Sequence, residues 1–83
     1  MKADQVLDCV GLYCPMPIVK TSQKMKEMAP GEVLEVIADD RGIKSDMPAW
    51  CDKTGNKCLG IEEDAGEIRV FVEKAGSRRS TGV

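Results

Sequence analysis

The chain has 83 residues, enough for one small domain and too few for a second core. Apolar residues make up 42% and charged residues 31%, the balance of an ordinary globular protein, and no apolar run approaches the length of a membrane span. A net charge of −2 argues against a nucleic-acid binder driven by overall charge. The complete lack of histidine removes Cys–His and Ser–His catalysis and imidazole metal sites.

The elements follow in chain order. Residues 3–9, ADQVLDC, predict a short strand, with Gly11 as a turn signal soon after. Residues 15–28, PMPIVKTSQKMKEM, suit a helix. Ile18, Ser22, Met25 and Ala29 recur at helical spacing, with Lys20 and Lys24 on a wetter side, and Pro30-Gly31 ends it. Residues 32–38, EVLEVIA, carry apolar side chains on both alternation sets, which predicts a central, largely buried strand.

Residues 39–46, DDRGIKSD, form a polar turn in this reading, with Asp39, Asp40 and Asp46 closing it and capping a second helix over residues 47–54. Pro48 fits the first turn of that helix and Gly55 its end. Residues 56–64, NKCLGIEED, give a third strand and Gly66 a turn. In residues 67–74, EIRVFVEK, Ile68, Val70 and Val72 alternate inward against Arg69, Phe71 and Glu73, closing the sheet. Residues 1–75 thus form a single domain, and residues 76–83, which lack apolar periodicity, read as a flexible tail. The order βαβαββ predicts a two-layer α/β sandwich: a mixed four-stranded sheet with both helices packed on one face. Strand order stays open.

Aromatic residues are few (Tyr13, Trp50, Phe71), so a stacking platform for single-stranded nucleic acid is not expected. The four thiols, Cys9, Cys14, Cys51 and Cys58, carry the remaining chemistry. No secretory segment opens the chain, so a cytoplasmic location with reduced thiols is the expectation. The spacings C-x4-C and C-x6-C miss the short pairs of structural zinc sites, and no metal site is expected.

The stretch CVGLYCPMPIVKT places Cys14 directly before two prolines. If the helix starts at Pro15, Cys14 is its N-cap, and Pro15 and Pro17 lack N–H groups that would have had no helical partner. Pro17 also disfavours helical geometry at Met16, so the entry is expected to be irregular. A sulfur at such a cap feels the positive end of the helix dipole, which stabilises a thiolate or a persulfide anion. Lys20 and Lys24 are a candidate docking patch for an acidic partner. Cys51 and Cys58 read as structural. Cys9 has two open readings, a structural thiol or a resolving thiol for Cys14, the latter requiring Cα atoms roughly 4.4–6.8 Å apart.

LDCVGLYCPMPIVKT, through Gly11, Leu12, Cys14, Pro15 and Pro17, resembles the signature of the TusA/SirA-type sulfur-carrier family, a Cys-Pro-X-Pro at the start of the first helix. PGEVLEVIADD and SDMPAWCDKTG resemble that family's second strand and second helix region. The resemblance implies a βαβαββ fold and a persulfide carried on Cys14. It implies a donor such as a cysteine desulfurase or rhodanese-like protein, and an acceptor in tRNA thiolation, molybdenum-cofactor synthesis or sulfur oxidation. Such a protein is a sulfurtransferase-type carrier rather than a self-contained catalyst, and it needs no cofactor, membrane or direct contact with nucleic acid. A monomer is the simplest expectation. Two rivals remain: a thiol redox protein using a Cys9–Cys14 disulfide, and an RNA- or regulator-binding module, since the fold is also similar to the C-terminal domain of a translation initiation factor.

Overall fold

The computed structural model describes residues 3–13 and 15–75. Six elements follow one another: β1 (Gln5–Asp8), α1 (Met16–Met25), β2 (Val33–Ala38), α2 (Ile43–Thr54), β3 (Lys57–Asp64) and β4 (Glu67–Glu73). The sheet order is β1-β2-β4-β3. β1 and β2 are parallel, whereas β4 is antiparallel to both β2 and β3, so the sheet is mixed. β3 therefore runs in the same sense as β2, and each helix is the crossover of a parallel pair.

Register fixes which face the helices cover. Leu34 lies opposite Val72, Val36 opposite Val70 and Ala38 opposite Ile68, and all six side chains are fully buried. Met25 and Met28 from the α1 side, with Ile43, Met47 and Cys51 of α2, belong to the same buried cluster. Both helices thus share one face, as the two-layer expectation requires. β2 is central as expected, but only one of its faces is fully buried; Val33, Glu35 and Ile37 on the other are half-buried.

Several elements differ from their sequence expectation. β1 is shorter, and Cys9 lies just past it, although its N–H still donates to Ile37 O at 2.6 Å. β4 does not close the sheet but sits inside it, with β3 at the edge. β3 carries an irregularity between Cys58 and Gly60, where Leu59 is the extra residue. That insertion returns Ile61 to the side of Val70, where an unbroken strand would have put Gly60. Phe71, expected outward, is 2% exposed; its neighbour on β3 is Gly60, whose missing side chain leaves room for the ring. The β3–β4 hairpin turns through Ala65 and Gly66, both at positive φ. This is the geometry of a two-residue type I′ turn, matched to strand twist.

α1 turns a different stripe inward from the one its spacing predicts. Pro17, Thr21, Met25 and Met28 are buried, while Ile18 and Ser22 are half-buried and Ala29 is exposed. Thr21 tolerates full burial because its hydroxyl donates to Pro17 O at 2.7 Å. α2 begins a full turn earlier than expected, at Ile43, so Pro48 lies inside it and not in its first turn. The cause is the turn before it: Asp40 Oδ1 accepts the Gly42 N–H at 3.1 Å, and Ile43 N–H bonds Asp40 O. Gly42 is the cap, and Asp46 lies in the first turn, near the positive end of the dipole. Ile43, Met47 and Cys51 then form the buried stripe at four-residue spacing. Glu63 of β3 ties the start of α2 to the sheet through Lys44 and Arg41, and Lys44 foremost holds its carboxyl below the usual range. The expected tail over 76–83 lies outside the described residues.

Candidate functional site

The loop between β1 and α1 is built from its backbone bonds. Asp8 Oδ1 accepts the Val10 N–H at 3.0 Å, and Leu12 N–H closes a turn onto Cys9 O at 3.1 Å. Gly11 has φ +85, which a side chain would strain, although nothing would crowd a Cβ there. Its N–H donates to Asp39 Oδ1 at 3.0 Å, so a carboxylate just past the end of β2 tethers the loop. Asp39 therefore holds the β1–α1 loop instead of capping α2, as its place in the sequence suggests. Leu12 packs against the core and anchors the loop from within.

The helix entry differs from the expected one. Met16 N–H bonds Tyr13 O at 2.8 Å, and the first helical bond runs from Val19 N–H to Pro15 O at 3.0 Å. The carbonyl that accepts the first helical bond defines the cap, so Pro15 occupies that position, at φ −95 and ψ 11, and Cys14 does not. Pro15, at the cap, lacks an N–H that would have had no helical partner, and so does Pro17. Pro17 sits in the first turn and is buried, whereas Pro15 is exposed. No side chain caps the helix, and no acidic residue lies in its first turn. The positive end of the α1 dipole is therefore left uncompensated by a carboxylate of its own helix.

Cys14 itself lies outside the described residues. The chain on either side of it is exposed and apolar: Tyr13 is 73% exposed, and Val10, Met16 and Val19 are between 39% and 46% exposed. This apolar collar was not anticipated from the sequence, because isolated apolar residues within a helix start read as core. Lys20 is exposed, and its charge opposes the rise of the Cys9 thiol. Lys24 is half-buried and pairs with Glu27 at 3.6 Å, so of the two expected docking lysines Lys20 is the more accessible.

The other thiols are placed differently. Cys9 is fully buried and unbonded to another sulfur, and burial first, then the Asp8 charge, pushes its thiol up. Cys51 is buried on α2, and Cys58 is half-buried on β3 against the same core. Among the described residues, no group of three or more His, Cys, Asp or Glu side chains could hold a metal ion. Among them too, no helix is long and apolar enough to cross a membrane.

Asp39→Ala is expected to free the Gly11 N–H and cost about 1 kcal/mol, the worth of one such bond. Amide exchange at Gly11 checks it: exchange should quicken in the alanine variant and return toward wild type in Asp39→Asn, which keeps an acceptor oxygen.

A two-layer βαβαββ domain with a glycine-turned loop feeding a proline-capped helix is a recognisable class of small protein. The chain matches the family model described as Sulfurtransferase TusA over residues 5–74, and it belongs to that family. It is 49% identical over 80 residues to YrkF of Bacillus subtilis, covering 96% of this chain but only 43% of that longer protein. It is 49% identical over 71 residues to YrkI of the same organism, covering 86% of this chain and 93% of YrkI. Over 72 residues it is 38% identical to the sulfur carrier protein TusA of Allochromatium vinosum, covering 87% and 95%. In fold it resembles the SirA-like protein of Desulfitobacterium hafniense, with a TM-score of 0.75 over 86% of this chain and 97% of that one, at 22% identity.

Proposed function

We propose that the protein is a sulfur carrier: Cys14 accepts sulfane sulfur as a persulfide from a donor protein and passes it to an acceptor protein. The observation that carries this reading is the CPMP stretch at the entry of α1, in a chain matched to the TusA family along nearly its whole length. Full-length relatives named sulfur carrier protein TusA support it.

Each transfer is a displacement at sulfur. The Cys14 thiolate attacks the outer sulfur of the donor persulfide, its new S–S bond forms as the donor's breaks, and the donor cysteine leaves as thiolate. The acceptor thiolate then repeats the attack on Cys14. No electrons are gained or lost overall, and no cofactor is needed. The helix dipole, unopposed in the first turn of α1, and the exposed Lys20 favour the anionic forms. The exposed Val10, Tyr13, Met16 and Val19 offer donor and acceptor in turn an apolar docking surface. We assign the reaction to the cytoplasm, where thiols stay reduced, with tRNA thiolation, molybdenum-cofactor synthesis and sulfur oxidation as the candidate destinations. Cys9 we place outside the relay, because it is sealed in the core.

The test is to charge the reduced chain from a cysteine desulfurase supplied with sulfur-labelled cysteine, then digest with chymotrypsin, which separates Cys9 from Cys14 at Leu12 and Tyr13. Label on the Cys14 peptide alone, removed by an acceptor thiol, is the expected result. Label on Cys9, or none, overturns the proposal.

A further inference from the structure

We propose that Cys51 and Cys58 form a second, independent thiol site, a dithiol pair that a small disulfide such as oxidised glutathione converts into an intramolecular disulfide. The pair is brought together by tertiary structure. Cys51 lies on the inner stripe of α2, Gly55 ends that helix in the left-handed conformation, and the chain reverses into β3. Cys58 lies opposite Val72, on the face of the sheet that α2 covers. Both cysteines line one open cavity of about 410 Å³, whose remaining walls include Pro48, Asp52, Asn56 and Lys57. That size is within the range of small-ligand pockets.

The two thiols differ in a way that sets an order of events. Cys51 is 2% exposed and Cys58 is half-buried, so the reagent meets Cys58 first. Burial, and then the neighbouring Cys58 and Asp52, push the Cys51 thiol up to about 12, so Cys51 waits in its protonated form. In the first step the Cys58 thiolate attacks one sulfur of oxidised glutathione. A Cys58–glutathione bond forms, the glutathione S–S bond breaks, and one glutathione leaves as thiolate and takes up the proton Cys58 gave. In the second step Cys51, on losing its proton, attacks the Cys58 sulfur; the Cys51–Cys58 bond forms and the second glutathione leaves with that proton. The protein dithiol loses two electrons and the reagent gains them.

This crosslink would join α2 to the edge strand β3 and would spare Cys58 from carrying a permanent adduct. It rests on the cavity and the pairing of α2 with β3, not on the carrier role of Cys14, so either can fail alone.

The experiment uses the full chain carrying Cys14→Ser, treated with oxidised glutathione, alkylated and digested with trypsin. Cleavage after Lys44, Lys53, Lys57 and Arg69 puts Cys51 on the peptide of residues 45–53 and Cys58 on that of residues 58–69. The expected product is these two peptides joined, about two hydrogen masses lighter than the sum of the reduced pair. In Cys51→Ser the reaction should stop at a glutathione adduct on Cys58, and in Cys58→Ser the Cys51 thiol should remain unmodified while the chain stays folded. A lasting glutathione adduct on Cys58 with Cys51 still reduced, or both thiols recovered alkylated, overturns the pair. So does modification of Cys51 in Cys58→Ser at the rate seen with Cys58 present. The joined peptide from the Cys14→Ser chain decides the matter even if a core variant fails to fold.

Discussion

Cys14→Ser is expected to take up no sulfane sulfur above background while unfolding within about 1 kcal/mol of the wild-type chain, the centre of the range for single substitutions. A serine hydroxyl at neutral pH is not ionised and cannot hold a persulfide, so the loss should be complete rather than graded. The neighbours bear on the stability arm: Tyr13 and Pro15 on either side are exposed, and Leu12 and the Asp39–Gly11 bond hold the loop before residue 14. Cys9→Ser separates the carrier from the redox alternative. A carrier needs only Cys14, so Cys9→Ser should load sulfur normally per folded molecule. A Cys9–Cys14 couple predicts equal damage from both substitutions. Because Cys9 is fully buried, its serine variant places a hydroxyl in the core at a cost of about 1–3 kcal/mol, and loading must be normalised to the folded fraction. Mass spectrometry of the charged proteins, with urea unfolding alongside, reads both arms. Equal loss in both variants after that normalisation would remove the carrier reading.

How much of this was legible beforehand depended on whether the determining contacts are local. The number, order and type of the elements were, because Pro30-Gly31, Gly55 and Gly66 punctuate the chain and Ile68, Val70 and Val72 recur at strand spacing in β4. The inner face of α1 was not. Helical spacing favoured Ile18, Ser22, Met25 and Ala29, but Thr21 satisfies its own hydroxyl on the Pro17 carbonyl and so goes inside. Proline at the helix start also reads as a boundary residue, yet Pro17 is a core residue here. The start of α2 was hidden because DDRGIKSD holds one apolar side chain, Ile43, and it takes Met47 four residues later to reveal that it continues the stripe.

Strand order lay beyond the sequence for a different reason. Placing β4 between β2 and β3 depends on pairings such as Leu34 with Val72 and Cys58 with Val72, which no local pattern encodes. The same division runs through the candidate site. The CPMP stretch announces itself, since thiol and prolines are adjacent in the chain. The tether from Asp39 to Gly11 spans 28 positions, and the exposure of Val10, Tyr13, Met16 and Val19 follows from where the loop leaves the sheet. Both required the fold.

The register supplies the second large effect. Leu34 is fully buried in the central strand β2, between Gln5 of β1 and Val72 of β4. Leu34→Ala is expected to cost about 2–5 kcal/mol, combining lost transfer energy with the cavity left behind. A domain this small has little to spare from the roughly 5–15 kcal/mol typical of folded proteins, so a loss of about 5 kcal/mol at the low end of that range would leave the variant half unfolded. Each kcal/mol should lower Tm by about 4–8 °C. Leu34→Met, which keeps the volume, should cost less than about 1.5 kcal/mol. Leu59→Ala provides the contrast: Leu59 is the inserted residue at the β3 irregularity and is 37% exposed, so its removal should cost no more than about 1 kcal/mol. Urea midpoints of the three variants measure the difference at constant slope. The comparison tests register as well as burial, because a one-residue slip of β2 would turn Leu34 outward and bring Glu35 into the core. If Leu34→Ala proved no more harmful than Leu59→Ala, the pairing of β2 with β4, and with it the placement of Asp39 beside the Gly11 loop, would have to be redrawn.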